Sequence, residues 1–516
     1  MSFPPATPTD DTDRPPSLAR GMWLRFAIAG VGILLLSGVA TATLALTKLN
    51  HIAEEVFPKG SQIHIAKGVV ETAYSGEPQT FMILGSDRRA GSKDAYDRND
   101  PPHSDTLLLV HLDPNYGQIS VLSVPRDLLV TITTKRGQVY YPSKINAAYT
   151  IGSSEGGTDR GVELTASTIE RLLHIKLNGV IDVSFKGFRD VVDTLGCVYV
   201  NVDHRYLHQS EASESQNYSS INLQPGYQKL CYENALSYVR YRHGDSDFVR
   251  VARQQDFLRN LRAQVPVGNL VGEIDRVSRA VGKAVTTTFH SSADQLIELA
   301  KLAAFSQQKP LRQVKFQVEN ANAMIAGNSY VTASPTLIKA TVREFLHGHE
   351  QLKLPSSASS SHHKHHTATP SRASLDLYSV SAAGKAEALT TAPNLPFPLE
   401  YPSVQTGPAT AQEVHRYTLE DEHKHRHHAY VAVWRQTGLG GYYDIEGIDW
   451  VNIPLFAHAR VQKIGGRTYL IVDDGTHIHD IGWRVGGVIY FVSNTLLEDL
   501  SNAQMIAIAR ATQPLH

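Results

Sequence analysis

Uncharged and alternating stretches divide the chain into segments of different kinds. Residues 26–47 carry no charged side chain and are rich in Leu, Ile, Val, Ala and Gly. A helix of this length would span about 33 Å, enough to cross the hydrocarbon core of a bilayer. We therefore predict a transmembrane helix over residues 26–47. A cleaved signal peptide, with Ala40-Thr41-Ala42 as its cleavage motif, is the alternative.

The charges beside this apolar run predict its orientation. Arg20 and Arg25 directly precede it, whereas the residues that follow it carry no positive excess. Because cytoplasmic flanks are enriched in Lys and Arg, residues 1–25 are predicted to be a cytoplasmic tail. The expected product is a single-pass plasma-membrane protein with its N-terminus in the cytoplasm and its larger part outside the cytoplasm.

After the membrane segment, short apolar runs alternate with helical spacing. The spacing of apolar residues over 161–174 predicts a helix, and Asp113-Pro-Asn-Tyr-Gly117 predicts a hairpin turn between two strands. This mixture predicts an α/β domain over residues 77–348, with a layered arrangement of a central mixed sheet flanked by helices. The predicted strands are residues 80–84, 106–112 and 119–124.

The C-terminal third has a different pattern. Residues 354–396 are rich in Ser, Ala, Thr and Pro and are predicted to be a linker. Residues 399–511 are predicted to form a small, separable β-rich domain of unknown role, closed by one helix. The strand and helix signals of this domain are residues 430–434, 468–472, 488–492 and 503–510.

Composition restricts the possible functions. The formal net charge is -1, which argues against a nucleic-acid binder that works by bulk electrostatics. The two cysteines, Cys197 and Cys231, would form a disulfide in an exported domain; two unpaired buried thiols are the alternative. Two histidine-rich tracts, residues 362–366 and 423–428, would bind transition metals only adventitiously, because neither predicts a defined geometry.

Polar residues lie at the ends of the predicted strands. Asp87 follows the first strand, Asp105 precedes the second, and Arg126 follows the third. If these strands are neighbours, two carboxylates and one guanidinium converge at one edge of a sheet. Two carboxylates with phosphate oxygens make a typical Mg²⁺ site, and an adjacent arginine binds phosphate in a bidentate manner. Taken singly, each residue is equally consistent with a turn aspartate or a surface arginine.

Four arginines lie close together further along the chain. Asp247 is predicted to cap a helix that begins at Phe248, and Asp247, Arg250 and Gln254 would share one face of it. An apolar stripe beside that face would contact the core. Such a helix suits an anionic ligand, although a solvated basic face is the alternative. The four arginines are Arg240, Arg242, Arg250 and Arg253, and the stripe consists of Phe248, Val251, Leu258 and Leu261.

Seven sequence blocks follow the apolar anchor in order: GSDRR, SDTLLLVHLDP, VLSVPRD, KINAAY, DVSFKGFRDVVDTLG, ALSYVRYRHGDSD and VRVARQQ. Together they resemble the LytR-CpsA-Psr family of cell-wall ligases. The resemblance covers residues 80–265, and the cysteine pair and the block GYQKLC resemble its actinobacterial branch. It implies the fold of that family, with a lipid-linked glycan as donor and peptidoglycan as acceptor.

The resemblance also implies roles for individual residues. Asp87 and Asp105 would bind Mg²⁺, and one of the two could act as general base. The diphosphate of a polyprenyl-diphosphate carrier would be held by Arg126, Arg240, Arg242 and Arg250, all counted with the two aspartates as catalytic. Further substrate contacts would come from Arg88, Arg89, Arg253 and Gln254.

The implied reaction is the Mg²⁺-dependent transfer of a glycopolymer from its lipid carrier to a peptidoglycan hydroxyl. A polyprenyl-diphosphate phosphatase, with water as acceptor, would use the same groups. A non-enzymatic regulator of the cell envelope and a wall-binding scaffold are further alternatives. The exported topology argues against direct contact with nucleic acid.

Overall fold

The computed structural model describes residues 50–55, 57–58, 61–86, 104–209, 220–242, 245–264, 282, 285–290, 292–307, 309, 311–348, 375–407, 409–436 and 441–515. No helix within these ranges is both long enough and apolar enough to cross a membrane. The predicted tail, residues 1–25, and the predicted transmembrane segment, residues 26–47, lie outside them.

The N-terminal part of the described chain is an α/β domain of fourteen strands and six helices. The strands are β1 (Gln79–Ser86), β2 (Ser104–Asp113), β3 (Gln118–Ser123), β4 (Leu129–Thr133), β5 (Val139–Lys144), β6 (Gly179–Ser184), β7 (Val198–Val202), β8 (Tyr206–His208), β9 (Ile221–Leu223), β10 (Gly226–Leu230), β11 (Val285–Thr287), β12 (Leu311–Val314), β13 (Asn320–Ile325) and β14 (Asn328–Thr332). The helices are α1 (Ala147–Leu173), α2 (Phe185–Thr194), α3 (Tyr232–Arg240), α4 (Asp247–Gln264), α5 (Ala293–Gln307) and α6 (Pro335–His347).

A six-stranded mixed sheet forms the centre of this domain, in the order β11-β6-β1-β2-β3-β12. Strand β1 runs parallel to β6 and antiparallel to β2, and β12 runs parallel to β3. The predicted strands and the hairpin between β2 and β3 are therefore confirmed. The predicted helix over 161–174 is also present, as the second half of α1, which is kinked at Gly156 and Gly157.

Alternation along the strands fills a core on each face of the sheet. Met82 and Leu84 of β1 pack against α1 and α6, whereas Phe81 packs against Phe289 and Leu302 of α5 on the other face. Since successive strand residues point to opposite faces, an unbroken apolar strand such as β1 requires helices on both sides. The result is the predicted layered α/β arrangement.

The C-terminal part is a seven-stranded antiparallel sheet, ordered β18-β19-β20-β24-β23-β22-β21, with two helices on one face. Its strands are β15 (Leu377–Ser379), β16 (Glu400–Pro402), β17 (Val404–Thr406), β18 (Ala409–Glu420), β19 (Arg426–Gln436), β20 (Tyr442–Ile448), β21 (Arg460–Ile464), β22 (Arg467–Asp473), β23 (Ile478–Val485), β24 (Val488–Ser493) and β25 (Thr512–Pro514). Its helices are α7 (Ala382–Thr391) and α8 (Asn502–Ala511), with 3-10 turns at Ala392–Asn394 and Pro454–Phe456.

The C-terminal domain begins earlier than the sequence predicted. Part of the predicted linker, residues 354–396, is folded: β15 and α7 lie within it, and Leu377 and Ala388 are buried in the core of the C-terminal domain. The Ala-rich composition that resembles a linker also favours a helix once a few side chains are buried. The strands and the helix predicted over 430–510 are present in β19, β22, β24 and α8.

The second face of the C-terminal sheet packs on the α/β domain. Tyr199 and Tyr227, on the hairpin-like pair β7 and β10, stack 5.7 Å apart and are buried against Ile448 and Phe491. The backbone N of Leu455 donates to the hydroxyl oxygen of Tyr227 at 3.1 Å. The two domains therefore share an apolar cluster, which we call the interdomain interface together with its polar contacts. That the C-terminal domain is separable stays a prediction from the sequence, and this interface argues against it.

The polar contacts of the interdomain interface involve two buried carboxylates, Asp444 and Glu446. The side-chain amide of Asn201 donates to Asp444 Oδ1 at 2.9 Å. The backbone N of Tyr227 donates to the hydroxyl oxygen of Tyr417 at 2.8 Å and to Glu446 Oε2 at 3.1 Å. Burial raises the pKa of Glu446 above its ordinary value.

The two cysteines form a disulfide, with their Cα atoms 4.7 Å apart. Cys197 lies just before β7, and Cys231 precedes the first residue of α3. The disulfide prediction is confirmed. It ties the start of α3 to the hairpin-like pair that carries the interdomain interface.

Candidate active site

One edge of the central sheet collects the predicted site residues. Strands β1 and β6 run parallel and end together, with Ser86 opposite Ser184. Strand β2 is antiparallel to β1 and begins at this edge, where Ser104 is opposite Ser86. Strand β3 ends at the same edge, so Arg126 follows it there. The backbone thus confirms the prediction that these strands are neighbours and that their ends lie together.

Of the two predicted metal ligands, Asp105 and Asp87, the structure describes the backbone of Asp105. Asp105 is the extra residue of a bulge, because Gly85 is opposite Thr106 while Ser86 is opposite Ser104. Bulges of this kind turn a strand at its end and re-aim one side chain, and they are common beside active sites. Asp87, Arg88 and Arg89 follow β1 directly and lie outside the described residues.

Arg126 lies in the loop after β3 and is only 14% exposed. Its Nε is 3.8 Å from Asp247 Oδ1 and 3.6 Å from Asp127 Oδ2. The backbone N of Asn146 donates to the Arg126 carbonyl at 3.2 Å, which fixes this loop against the start of α1. Asp127 also pairs with Lys144 Nζ at 2.9 Å.

Arg250 joins the same carboxylate from another element. Its Nη2 is 2.7 Å from Asp247 Oδ1, and its side chain is 3% exposed. One oxygen of Asp247 thus lies between guanidinium groups from the β3 loop and from α4. Two guanidinium groups therefore share one oxygen of this carboxylate.

Asp247 was predicted to be the cap of this helix, and that prediction is wrong. Ser246 provides the cap instead: its hydroxyl oxygen accepts from the backbone N of Val249 at 3.3 Å, and its carbonyl accepts from Arg250 N at 3.2 Å. The Asp247 carboxylate is therefore available to the two arginines. A serine directly before an aspartate was the available sequence signal, since both residues favour the cap position.

Arg240 reaches the same edge from the last turn of α3. Its guanidinium carbon lies 4.0 Å from the centre of the Phe185 ring, and Phe185 is the first residue of α2, directly after β6. A cation over an aromatic face is held in place without losing its positive charge. Arg242 follows two residues later, and both arginines are partly exposed.

Arg253 is not brought to this edge. It is fully buried; its Nε donates to the Tyr206 hydroxyl at 3.1 Å, its Nη1 donates to the Tyr241 carbonyl at 2.9 Å, and its Nη2 pairs with Asp245. The ring of Tyr206 also lies beneath its guanidinium. A side chain with no exposed surface cannot contact a ligand in this arrangement, which differs from the substrate contact that was predicted.

Gln254 contacts the helix that carries Arg240. Its amide nitrogen donates to the Val239 carbonyl at 3.0 Å, and it is 8% exposed. It therefore links α4 to the end of α3, just before Arg240. This contact is compatible with the predicted supporting role.

The apolar stripe predicted on α4 is wrong. Phe248, Val251, Leu258 and Leu261 are only partly buried, and the buried face carries polar residues with Val249, Ala252 and Phe257. This helix crosses a polar interior in which its arginines and glutamines have protein partners. The buried polar residues of α4 are Arg250, Arg253, Gln254, Gln255 and Asn260.

The chain belongs to the LytR_cpsA_psr family, whose model matches residues 46–345. Two relatives are named as polyisoprenyl-teichoic acid–peptidoglycan teichoic acid transferases. TagU of Bacillus cereus is 28% identical over 280 residues, covering 54% of this chain and 82% of TagU. TagV of Bacillus subtilis is 30% identical over 275 residues, covering 52% of this chain and 64% of TagV.

Among solved structures, the crystal structure of B. subtilis TagV is similar over 52% of this chain and 98% of that chain, with 25% identity and a TM-score of 0.40. The family predicted from the sequence blocks is confirmed, and the names of the relatives support the predicted enzyme class, a transferase. The family match ends at residue 345, before the C-terminal sheet.

Proposed function

We propose that this chain transfers a glycopolymer from a polyprenyl-diphosphate carrier to a hydroxyl of peptidoglycan. The observation that supports it most is the convergence of Arg126, Arg240 and Arg250 from three different elements on one sheet edge. The relatives named above act on a polyisoprenyl-linked polymer and peptidoglycan. A diphosphate is the chemical group that such a set of guanidinium forks recognises.

The reaction is a phosphoryl transfer. An acceptor hydroxyl oxygen forms a bond to the glycan-linked phosphorus, and the bond from that phosphorus to the polyprenyl phosphate oxygen breaks. The hydroxyl proton passes to a base, for which Asp87 and Asp105 are the candidates. Arg126, Arg240, Arg242 and Arg250 stabilise the charge that develops on the phosphate oxygens, and Asp247 holds two of these arginines in place.

We also propose Mg²⁺ as the cofactor of this site. Asp127 and Asp247 are paired with cationic side chains, so they are poor candidates for metal ligands. Asp87 and Asp105, at neighbouring strand ends, are the remaining carboxylates predicted at this edge. When bound, Mg²⁺ would neutralise the diphosphate and the charge of the leaving group.

The test is reconstitution of the full chain with a lipid-diphosphate donor and peptidoglycan oligomers at saturating Mg²⁺. We expect release of polyprenyl phosphate and a glycosylated oligomer by mass analysis; release without that oligomer would mean hydrolysis instead of transfer. Asp105→Ala should abolish turnover. Arg242→Ala should lower it by about 10²–10³-fold, the usual loss for one preorganised donor.

The matched control is Arg171→Ala. Arg171 lies in the last turn of α1, which precedes β6 and is therefore at the opposite edge of the sheet, and it donates to the Thr133 carbonyl at 3.1 Å. This variant should retain its turnover. Near-normal rates in both Asp105→Ala and Arg242→Ala would contradict the proposal.

We further propose that residues 26–47 anchor the protein with its α/β domain outside the cytoplasm. The uncharged run and the preceding Arg20 and Arg25 support this orientation. A reporter enzyme that is active only after export, fused after His516, should be active. A reporter that is active only in the cytoplasm should be inactive at the same position, and the opposite result would refute the topology.

A further inference from the structure

A cleft of about 340 Å³ lies between the C-terminal half of α4 and the C-terminal domain. Arg259 and Arg262 of α4 line it together with Lys309, which lies just before β12. Arg460 of β21 lines it from the C-terminal domain. Both domains thus contribute cationic side chains to one cleft. The family match ends at residue 345, so the side formed by β21 lies outside the part of the chain that the family model covers.

The charges that line this cleft are mostly positive. Four side chains of Arg and Lys line it, against the single carboxylate of Asp473. That carboxylate is already engaged, because its Oδ2 is 2.8 Å from Arg460 Nη2 and its Oδ1 accepts from the backbone N of Gly475 at 2.9 Å. Arg259 is paired with Asp256, at the foot of the cleft on α4.

Arg262 and Lys309 lie together on the side of the α/β domain. The Nη2 group of Arg262 donates to the Lys309 carbonyl, which is a neutral acceptor. Burial lowers the pKa of Arg262 to about 10, so its guanidinium stays charged at neutral pH. Lys309 is half-buried, and its ammonium pairs with no carboxylate of the described residues. Lys309 is therefore available to an anionic ligand, beside a second positive charge.

Apolar side chains complete the lining. Leu455 and Ile471 are both buried and both line the cleft. Apolar surface with a few placed charges is typical of sites that bind organic ligands. The cleft therefore suits a ligand that carries anionic groups on a carbon framework.

We propose that this cleft binds phosphate groups within the glycopolymer of the donor, as a second binding site remote from the diphosphate. This rests on the proposed function, in which the donor carries a glycopolymer. Guanidinium and ammonium groups are the usual protein partners of phosphate oxygens. Arg262 follows Arg250 by twelve residues on α4, which places the cleft about 18 Å from the sheet edge along the helix axis. A polymer can reach both places at once, whereas a single sugar unit cannot.

The charge pattern favours the donor polymer over the peptides of peptidoglycan. Those peptides carry amino groups as well as carboxylates, and an amino group in the cleft would need an anionic partner. Asp473 is the only carboxylate in the described lining, and Arg460 already occupies it. A polymer with negative charges alone meets no such conflict.

The test measures binding at equilibrium and needs no turnover. A soluble oligomer of glycerol phosphate, without lipid or diphosphate, is titrated into the full-length protein in detergent and followed by isothermal titration calorimetry. Lys309→Glu and Arg460→Glu should each weaken binding by about 10–100-fold, the effect of losing one charge-assisted hydrogen bond. Lys463→Glu, the control, makes the same change of charge at an exposed position of β21 outside the cleft and should leave the affinity unchanged.

Three results would overturn the proposal. One is a wild-type protein that does not bind the oligomer. Another is binding that is lost in Arg242→Ala but kept in Lys309→Glu, which would place the oligomer at the sheet edge. The third is a peptidoglycan fragment that binds as tightly as the oligomer and loses its affinity in Lys309→Glu. Because Arg460 is exposed, its substitution keeps the test informative even if Lys309→Glu does not fold.

Turnover separates this proposal from the proposed function. A lipid-diphosphate donor with one uncharged sugar should be used equally well by the wild type and by Arg460→Glu. A donor with a phosphate-bearing polymer should show a higher KM in Arg460→Glu at an unchanged kcat, because only binding remote from the reacting phosphorus is lost. An equal KM for both proteins with the polymer donor would overturn the role of the cleft and leave the transferase activity standing.

Discussion

At the scale of single residues, the difference between two neighbouring arginines on α4 is decided by burial. Arg250 shares Asp247 with Arg126, at the edge of the sheet where the site is proposed. Arg253, one turn further on, has every side of its guanidinium covered by protein. Both residues are arginines in the same arginine-rich segment, so the sequence predicted a ligand contact for each. Only the packed tyrosines around Arg253 separate the two roles.

Arg253→Met should therefore destabilise the fold. It leaves Asp245, whose pKa is raised by burial, without its guanidinium partner. Breaking one side of a buried ion pair costs about 3–5 kcal/mol. Chemical denaturation should show this loss, and adding Asp245→Asn should recover part of it. Lys186→Met, which removes an exposed pair with Asp190, is the control and should cost less than about 1 kcal/mol.

His111 gives a prediction for pH. Burial lowers its pKa to about 4, and a nearby His347 lowers it further, while Asp113 opposes the shift. Below its ordinary pKa of about 6.5 the unfolded chain binds a proton that the folded chain does not. The free energy of unfolding should thus fall by about 2 kcal/mol between about pH 7 and pH 5.

The variant His111→Gln tests this assignment, since an amide can still bond to the Thr80 hydroxyl, which is 2.9 Å from His111 Nδ1. Urea unfolding at both pH values should show a smaller pH dependence for the variant. An unchanged pH dependence would mean that other groups cause the loss of stability.

At the scale of elements, the apolar strands of the central sheet were predicted correctly, whereas the buried face of α4 was not. The strands β1, β2 and β3 are apolar runs ended by turn residues, and the sequence shows them directly. The buried face of α4 could not be predicted, because a prediction from the spacing of hydrophobic residues assumes that the buried face is apolar. Here Gln254 and Arg250 are buried with polar protein partners, the Val239 carbonyl and the Asp247 carboxylate.

The disulfide also acts at the scale of elements, because it fixes the start of α3. The last turn of this helix carries Arg240. The two cysteines are 34 residues apart. In the chain-entropy model a loop of this size stabilises the fold by about 3–4 kcal/mol. Replacing both cysteines with serine should lower the free energy of unfolding by this amount. Reducing agent should then destabilise the native protein but leave the variant unaffected.

At the scale of the whole molecule, the two domains contact each other through a buried interface. Tyr199 and Tyr227 are covered by the C-terminal sheet, and buried carboxylates lie beside them. Three strands of that sheet, β19, β22 and β24, were predicted from the sequence. The contact between the domains was not predicted. The sequence around a buried tyrosine does not show whether the residues that bury it belong to its own domain or to another.

A chain truncated after Gly348 should therefore be poorly stable. Removal of the C-terminal domain exposes Tyr199 and Tyr227 and takes away the Asp444 acceptor of Asn201. Size-exclusion chromatography should show association, and thermal unfolding should begin at a lower temperature than in the full chain. A monomeric product with an unchanged melting temperature would mean that the interface contributes little.

Helix α4 belongs to both halves of the molecule. Arg250 near its N-terminus lies at the sheet edge, and Arg259, about 13 Å further along the axis, contacts His479 of the C-terminal domain. If α4 moves as a rigid unit, a displacement at one end displaces the other, and such coupling is reciprocal. A genetic screen for lost cell-wall attachment should therefore recover alleles in the C-terminal sheet. Suppressors of those alleles should map to the C-terminal half of α4.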